Sequence, residues 1–193
     1  MIDGPVRQVV LSFALLAAVV CSLAAAPGPD GLLGGFLAAL MLAIAIIDSR
    51  RYIIPNELTG AAMALALFRA GAIGPEADLR AVMWAALRAL AIAVPLLALM
   101  FGYRRWRGRD GLGLGDVKLA AVCGAWLDLV TVAAVIELAA LLAIGAYLAN
   151  AALQRKPLRG TAFLPFGLFL APTIWIGWLG ETWYVNWLGG WPG

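Results

Sequence analysis

The chain has 193 residues, of which 64% are apolar and 13% charged, with a mean hydropathy of +0.93. That is too apolar for a domain whose whole surface faces water, so its solvent is lipid. Histidine is absent, which removes the usual general base, the usual metal ligand and every Ser/His or Cys/His arrangement. The net charge of +3 and pI near 9.2 report membrane orientation here, and no nucleic-acid partner is expected, because Lys and Arg collect in the cytoplasmic loops of membrane proteins.

Apolar segments run over residues 8–26, 31–48, 57–74, 79–103, 116–127, 129–153 and 161–180. They predict an all-α, polytopic membrane protein of about seven spans, or six if the first is not counted, folded as one domain over 1–193. The first segment also has features of a secretory signal, with Arg7 ahead of an apolar run ending at Ala24-Ala25-Ala26. It is long for a signal's apolar region and is read as a retained span. The fifth is short, and either sits partly re-entrant or continues beyond the membrane as a helix lined by loop residues.

With a cytoplasmic N-terminus, the inner side holds Arg7, Arg50, Arg51, Arg104, Arg105, Arg107, Arg109, Lys118, Arg155, Lys156 and Arg159, eleven of the fourteen positive charges. The outer side holds Asp30, Glu76, Asp78, Asp128 and Glu181, with Arg80 alone as a basic residue. This asymmetry specifies the orientation. Trp175, Trp178, Trp183, Trp187 and Trp191 read as an aromatic belt at the outer interface. Cys21 and Cys123 stand alone without a CxxC spacing and read as packing residues, so neither a metal nor a disulfide is expected. Arg69, Arg88 and Glu137, inside spans, are expected to pair structurally or to snorkel.

Asp48 ends the second apolar run and Asp116 opens the fifth. The topology places both at the same depth on the inner face. Acidic residues at the edge of apolar helices are costly, so a pair at matched depth is a candidate site. Two structural alternatives stand beside it. Asp116 follows Gly115 and suits a helix N-cap. Asp48, facing the unfavourable end of its helix dipole, suits a surface ion pair with Arg50 or Arg51. Two carboxylates in a poorly hydrated site share a proton, so that one accepts from water while the other donates to a carbonyl. That chemistry needs no cofactor.

The surrounding residues are Asp48-Ser49-Arg50-Arg51-Tyr52-Ile53-Ile54-Pro55-Asn56 and Gly111-Leu112-Gly113-Leu114-Gly115-Asp116-Val117-Lys118-Leu119. Pro55 and Asn56 mark a turn and the start of a helix. The alternate glycines 111, 113 and 115 bare the backbone for a substrate strand. Asp-x-Arg-x-x-x-Ile-Pro-Asn followed two spans later by Gly-x-Gly-x-Gly-Asp-x-Lys-Leu resembles the type IV prepilin peptidases. Leu164-Pro165-Phe166-Gly167 resembles the family's third element, with Leu168 where a second proline is common.

The resemblance covers about 45–170. It implies a GxGD intramembrane aspartyl protease of the bacterial inner membrane that removes the basic leader of prepilins or pseudopilins at the cytoplasmic face, with Asp48 and Asp116 as the catalytic pair. It further implies supporting roles for Arg50, Pro55, Asn56, Gly111, Gly113, Gly115, Lys118, Pro165, Phe166 and Gly167. The partners are then the substrate helix and the bilayer, with homo-oligomerisation left open. Longer members carry two CxxC pairs and also N-methylate; this chain resembles the short, peptidase-only members, such as those serving tight-adherence pili. Two alternatives remain: a presenilin-like GxGD protease, and a proton-coupled membrane transporter with a path through Glu137.

Overall fold

The computed structural model describes residues 4–73, 77–108, 111–155 and 164–188. Among the described residues seven helices follow one another: α1 Gly4–Ala25, α2 Pro29–Arg51, α3 Asn56–Ala72, α4 Leu79–Arg107, α5 Leu114–Trp126, α6 Leu129–Leu153 and α7 Phe166–Leu188. Each apolar segment becomes one helix, and among the described residues there is no strand. Helices α1, α2, α4 and α6 are long and apolar enough to cross a membrane. The 17-residue α3 and 13-residue α5 fall short in length.

Length follows the local surroundings. At about 1.5 Å per residue, α4 extends about 44 Å, well past a hydrocarbon core of roughly 30 Å. Arg104, Arg105 and Arg107 therefore ride on its last turns rather than in a loop, and Gly108 closes the helix in the left-handed region. Helix α5 extends only about 20 Å, but it packs against α3, α4, α6 and α7, and eight of its residues are buried. A short helix is tolerated at membrane depth because protein, not lipid, surrounds it. Arg50 and Arg51 lie in the last turn of α2, and Arg7 lies within α1. Glu76, Arg109, Lys156, Arg159 and Trp191 lie outside the described residues.

The core is formed where α2, α5 and α7 meet, around Leu37, Met41, Ile44, Leu119, Val122, Leu170, Ile174 and Trp178. Trp178 is fully buried. Its ring occupies the notch at Gly34, where a Cβ would stand 1.9 Å from the indole. The expected aromatic belt is thus corrected in part. Trp178 is a core residue and Trp175 donates its indole N–H to Ser22 Oγ at 3.0 Å, while Trp183 and Trp187 are exposed. A second polar link, Asn186 to the Ala25 carbonyl at 2.7 Å, also ties α1 to α7.

The charges within the spans are resolved differently from a pair among Arg69, Arg88 and Glu137. Arg69 grips Asp30 with two hydrogen bonds of 2.6 and 3.1 Å and lies 5.5 Å from the Trp126 ring centroid. Arg88 donates to the Gly124 carbonyl at 3.3 Å, and Glu137 is exposed on α6. Glu181, expected in an outer loop, lies inside α7 and accepts the Asp128 N–H at 2.8 Å. Arg69, Arg88 and Glu181 each meet a partner across a helix junction, which hydropathy along one segment does not specify.

Candidate active site

The two aspartates come from opposite ends of their helices. Helix α2 runs one turn beyond Asp48 and stops at Tyr52, which adopts the left-handed conformation (φ 54°) and donates its N–H to the Asp48 carbonyl at 2.9 Å. That conformation costs a non-glycine residue about 1 kcal/mol and turns the chain back toward the bundle. After exposed Ile53 the chain buries Ile54. Pro55, extended at φ −65°, then precedes α3, which starts at Asn56 as the Pro-Asn pair predicts.

Asp116 is not the N-cap of α5. Gly113 holds that position, and Asp116 falls in the first helical turn, where its carboxylate reaches back to the Gly113 backbone N–H. This is half of a capping box, with the side chain at the third helical position returning to the cap. The carboxylate is partly exposed, so this role leaves it open to solvent. An acidic residue there also complements the positive end of the helix dipole.

Asp48 does not form the expected surface ion pair. It is 4% exposed, and its Oδ2 accepts the Leu168 N–H at 2.9 Å, with the Gly167 N–H also directed at the carboxylate. Arg50 and Arg51 are exposed. The first turn of α7, whose N–H groups lack partners within the helix, therefore meets the one acidic side chain near the end of α2. Asp48 and Asp116 lie within reach of each other's charge.

The glycines explain how closely the three segments approach. A Cβ at Gly167 would stand 2.9 Å from Asp48 Oδ2 and 2.7 Å from Ile54 Cδ1. A Cβ at Gly115 would stand 3.0 Å from Ile54 Cβ. Ile54 thus fills the space between the turn before Asp116 and the start of α7. Gly111 lies against the Tyr103 ring, where a Cβ would be 2.7 Å from Cδ1 and Cε1. Lys118 donates to Asn56 Oδ1 at 2.7 Å, joining α5 to the first residue of α3. Pro165 ends just outside α7 and its carbonyl accepts the Leu168 N–H at 3.3 Å. Phe166 opens α7 and packs against the core.

Asp48, Asn56, Gly115, Asp116, Lys118 and Gly167 are therefore brought to one end of the bundle. Two contributors were given no role from the sequence alone: Ile54, which entered only as part of the motif, and the Leu168 N–H. Ile54 carried a signal, as an apolar residue directly before Pro55 in an otherwise exposed turn. The Leu168 N–H carried none, because a backbone donor leaves no trace in side-chain chemistry.

A model of the type IV leader peptidase family matches residues 35–149, more than half of the chain. The chain belongs to this family. A prepilin leader peptidase/N-methyltransferase of Burkholderia pseudomallei is 37% identical over 150 residues, covering 75% of this chain and 45% of that protein. One from Aeromonas salmonicida is 31% identical over 181 residues, covering 89% and 58%. Leader peptidase HopD of Escherichia coli is 30% identical over 143 residues, covering 73% and 88%. The chain spans about half the length of the first two. No solved structure matches. With these relatives and four helices apolar enough to cross a bilayer, the chain is a multi-pass bacterial membrane protein.

Proposed function

We propose that the chain, as a single transmembrane peptidase domain over 1–193, cleaves the basic leader of prepilins or pseudopilins by aspartyl chemistry, with Asp48 and Asp116 as the catalytic pair. The observation that carries the proposal is the meeting of a buried Asp48 with a partly exposed Asp116 at one end of the bundle, beside glycines that leave room for a backbone. The ionised carboxylate takes a proton from water as the water oxygen attacks the scissile carbonyl, while the protonated partner gives its proton to the carbonyl oxygen. The tetrahedral intermediate then collapses. Its C–N bond breaks as the leaving nitrogen takes a proton from the carboxyl group formed in the first step and the partner carboxylate takes back a proton from one hydroxyl of the intermediate, which restores both aspartates.

The arginines and Lys118 gathered at the same end as the aspartates support an orientation in the inner membrane with that end and the N-terminus in the cytoplasm. A substrate bond is then presented at the foot of its apolar helix, just after a basic leader held on the same side. The names of the relatives support this substrate class. The proposal covers the peptidase step.

The experiment is co-expression with a candidate prepilin, read by a shift in gel mobility. Asp48→Asn and Asp116→Asn are each expected to abolish processing while the protein stays inserted and folded, because each carboxylate has its own acid or base role. Near-normal processing by either variant sinks the pair.

A further inference from the structure

We infer that Ile54 is a positioning residue: its side chain is the spacer that sets the gap between the two turns that present the aspartates. The inference rests on the proposed roles of Asp48 and Asp116. In the chain between α2 and α3, Tyr52 and Ile53 are exposed, whereas Ile54 is buried and turned into the bundle. Its tip meets Gly167, where a Cβ would stand 2.7 Å from Ile54 Cδ1 and 2.9 Å from Asp48 Oδ2. Its base meets Gly115, the residue before Asp116, where a Cβ would stand 3.0 Å from Ile54 Cβ and 3.4 Å from Cγ1 and Cδ1. One side chain therefore separates the glycine that touches Asp48 from the glycine bonded to Asp116.

The local sequence makes this spacer stiff. Tyr52 closes α2 in the left-handed region and Pro55 holds its ring-fixed φ of −65°, so the chain is fixed on both sides of Ile53 and Ile54. A residue before proline is confined to extended backbone, and branching at Cβ leaves isoleucine few choices at χ1. The side chain is wholly apolar, so it offers neither carboxylate a hydrogen bond that would divert it from the other. Both neighbours are glycines, so each contact runs from the isoleucine directly to backbone. Shortening Ile54 leaves a gap that closes only if the first turn of α5 or of α7 moves. Asp116 travels with the first of these, and the backbone donors of Asp48 travel with the second.

The test uses the purified full chain in detergent with a prepilin peptide, and kcat and KM are taken per folded molecule. Ile54→Ala is expected to lower kcat by about tenfold or more with KM within about twofold, since a misplacement of about 1 Å costs about a hundredfold. Ile174→Ala is the control, the same deletion at a fully buried site near the middle of α7. It is expected to lower the melting temperature and to keep kcat within about threefold. Gly115→Ala presses a methyl group against Ile54 and is expected to lower kcat by itself. Added to Ile54→Ala, the same methyl group refills the gap and is expected to raise kcat by about threefold or more. Equal kcat for Ile54→Ala and Ile174→Ala overturns the inference. So does a double variant whose loss is the product of the two single losses, because independent sites combine in that way. If Ile54→Ala fails to fold, Ile54→Val, which removes only the tip carbon at Gly167, takes its place beside Ile174→Val and is held to the same two comparisons, with an expected loss of about threefold. Asp48→Asn run in the same assay separates the two readings. Cleavage by that variant overturns the catalytic pair, whereas an inactive Asp48→Asn beside an Ile54→Ala that matches Ile174→Ala overturns only the spacer.

Discussion

Replacing Gly167 with alanine puts one methyl group where the structure has no room for it. The new Cβ would lie 2.9 Å from Asp48 Oδ2, 3.1 Å from its Cγ and 2.7 Å from Ile54 Cδ1. Ordinary contact begins near 3.4 Å, so the Asp48 carboxylate has to shift by about half an ångström, and overpacking of this kind costs about 1–3 kcal/mol. The Ile54 tip can rotate, but Asp48 is held by the N–H groups of the same turn, so relief for one contact strains the other. A misplacement of about 1 Å lowers a rate by about a hundredfold, and half of that corresponds to roughly tenfold. Gly167→Ala is therefore expected to lower kcat by about 10- to 100-fold in peptide cleavage, with a lower melting temperature in detergent. Gly60→Ala and Gly145→Ala serve as controls, since a Cβ at either meets nothing within 4 Å and alanine favours a helix by about 0.5–1 kcal/mol over glycine. A Gly167→Ala protein that cleaves at the wild-type rate refutes the close approach of α7 to Asp48.

The hydrogen bond from Lys118 to Asn56 joins two of the motifs at an exposed site. Lys118→Met and Asn56→Ala are expected to be non-additive by about 0.5–1 kcal/mol in a double-mutant cycle on stability, and strict additivity would dismiss the link. At the opposite end, Arg69→Met leaves Asp30 without its 2.6 Å partner. Because both side chains are partly exposed, the expected cost is about 1 kcal/mol, seen as a lower melting temperature with cleavage per folded molecule unchanged. An unaltered melting temperature would show that the pair contributes nothing. In a background without Cys21 and Cys123, single cysteines at positions 30, 77 and 128 should be labelled from outside the cell and those at 50 and 107 should not. The reverse pattern puts the aspartates on the wrong face.

Much of this architecture is legible residue by residue. Apolar runs of span length predict the helices because each must satisfy its own backbone in lipid, and each of the seven runs becomes one helix among the described residues. Arg and Lys at one set of helix ends place Asp48 and Asp116 at matched depth before any packing is known, and Pro55-Asn56 marks the start of α3. These are local signals, set by one segment and its solvent. What the helices do to one another is different, because lipid is as apolar as leucine and hydropathy does not say which face of a span meets which neighbour. Only the tertiary structure decided that Trp178 fills the notch at Gly34 and that Arg69 pairs with Asp30. It also decided that Asp116 sits in the first turn of α5 rather than at its cap, and that Asp48 turns inward to the backbone of α7 instead of outward to Arg50 and Arg51. The physical reason is the same in each case. A buried polar group takes whichever donor or acceptor the packing brings within about 3 Å, and for Asp48 that donor belongs to a residue 120 positions along the chain.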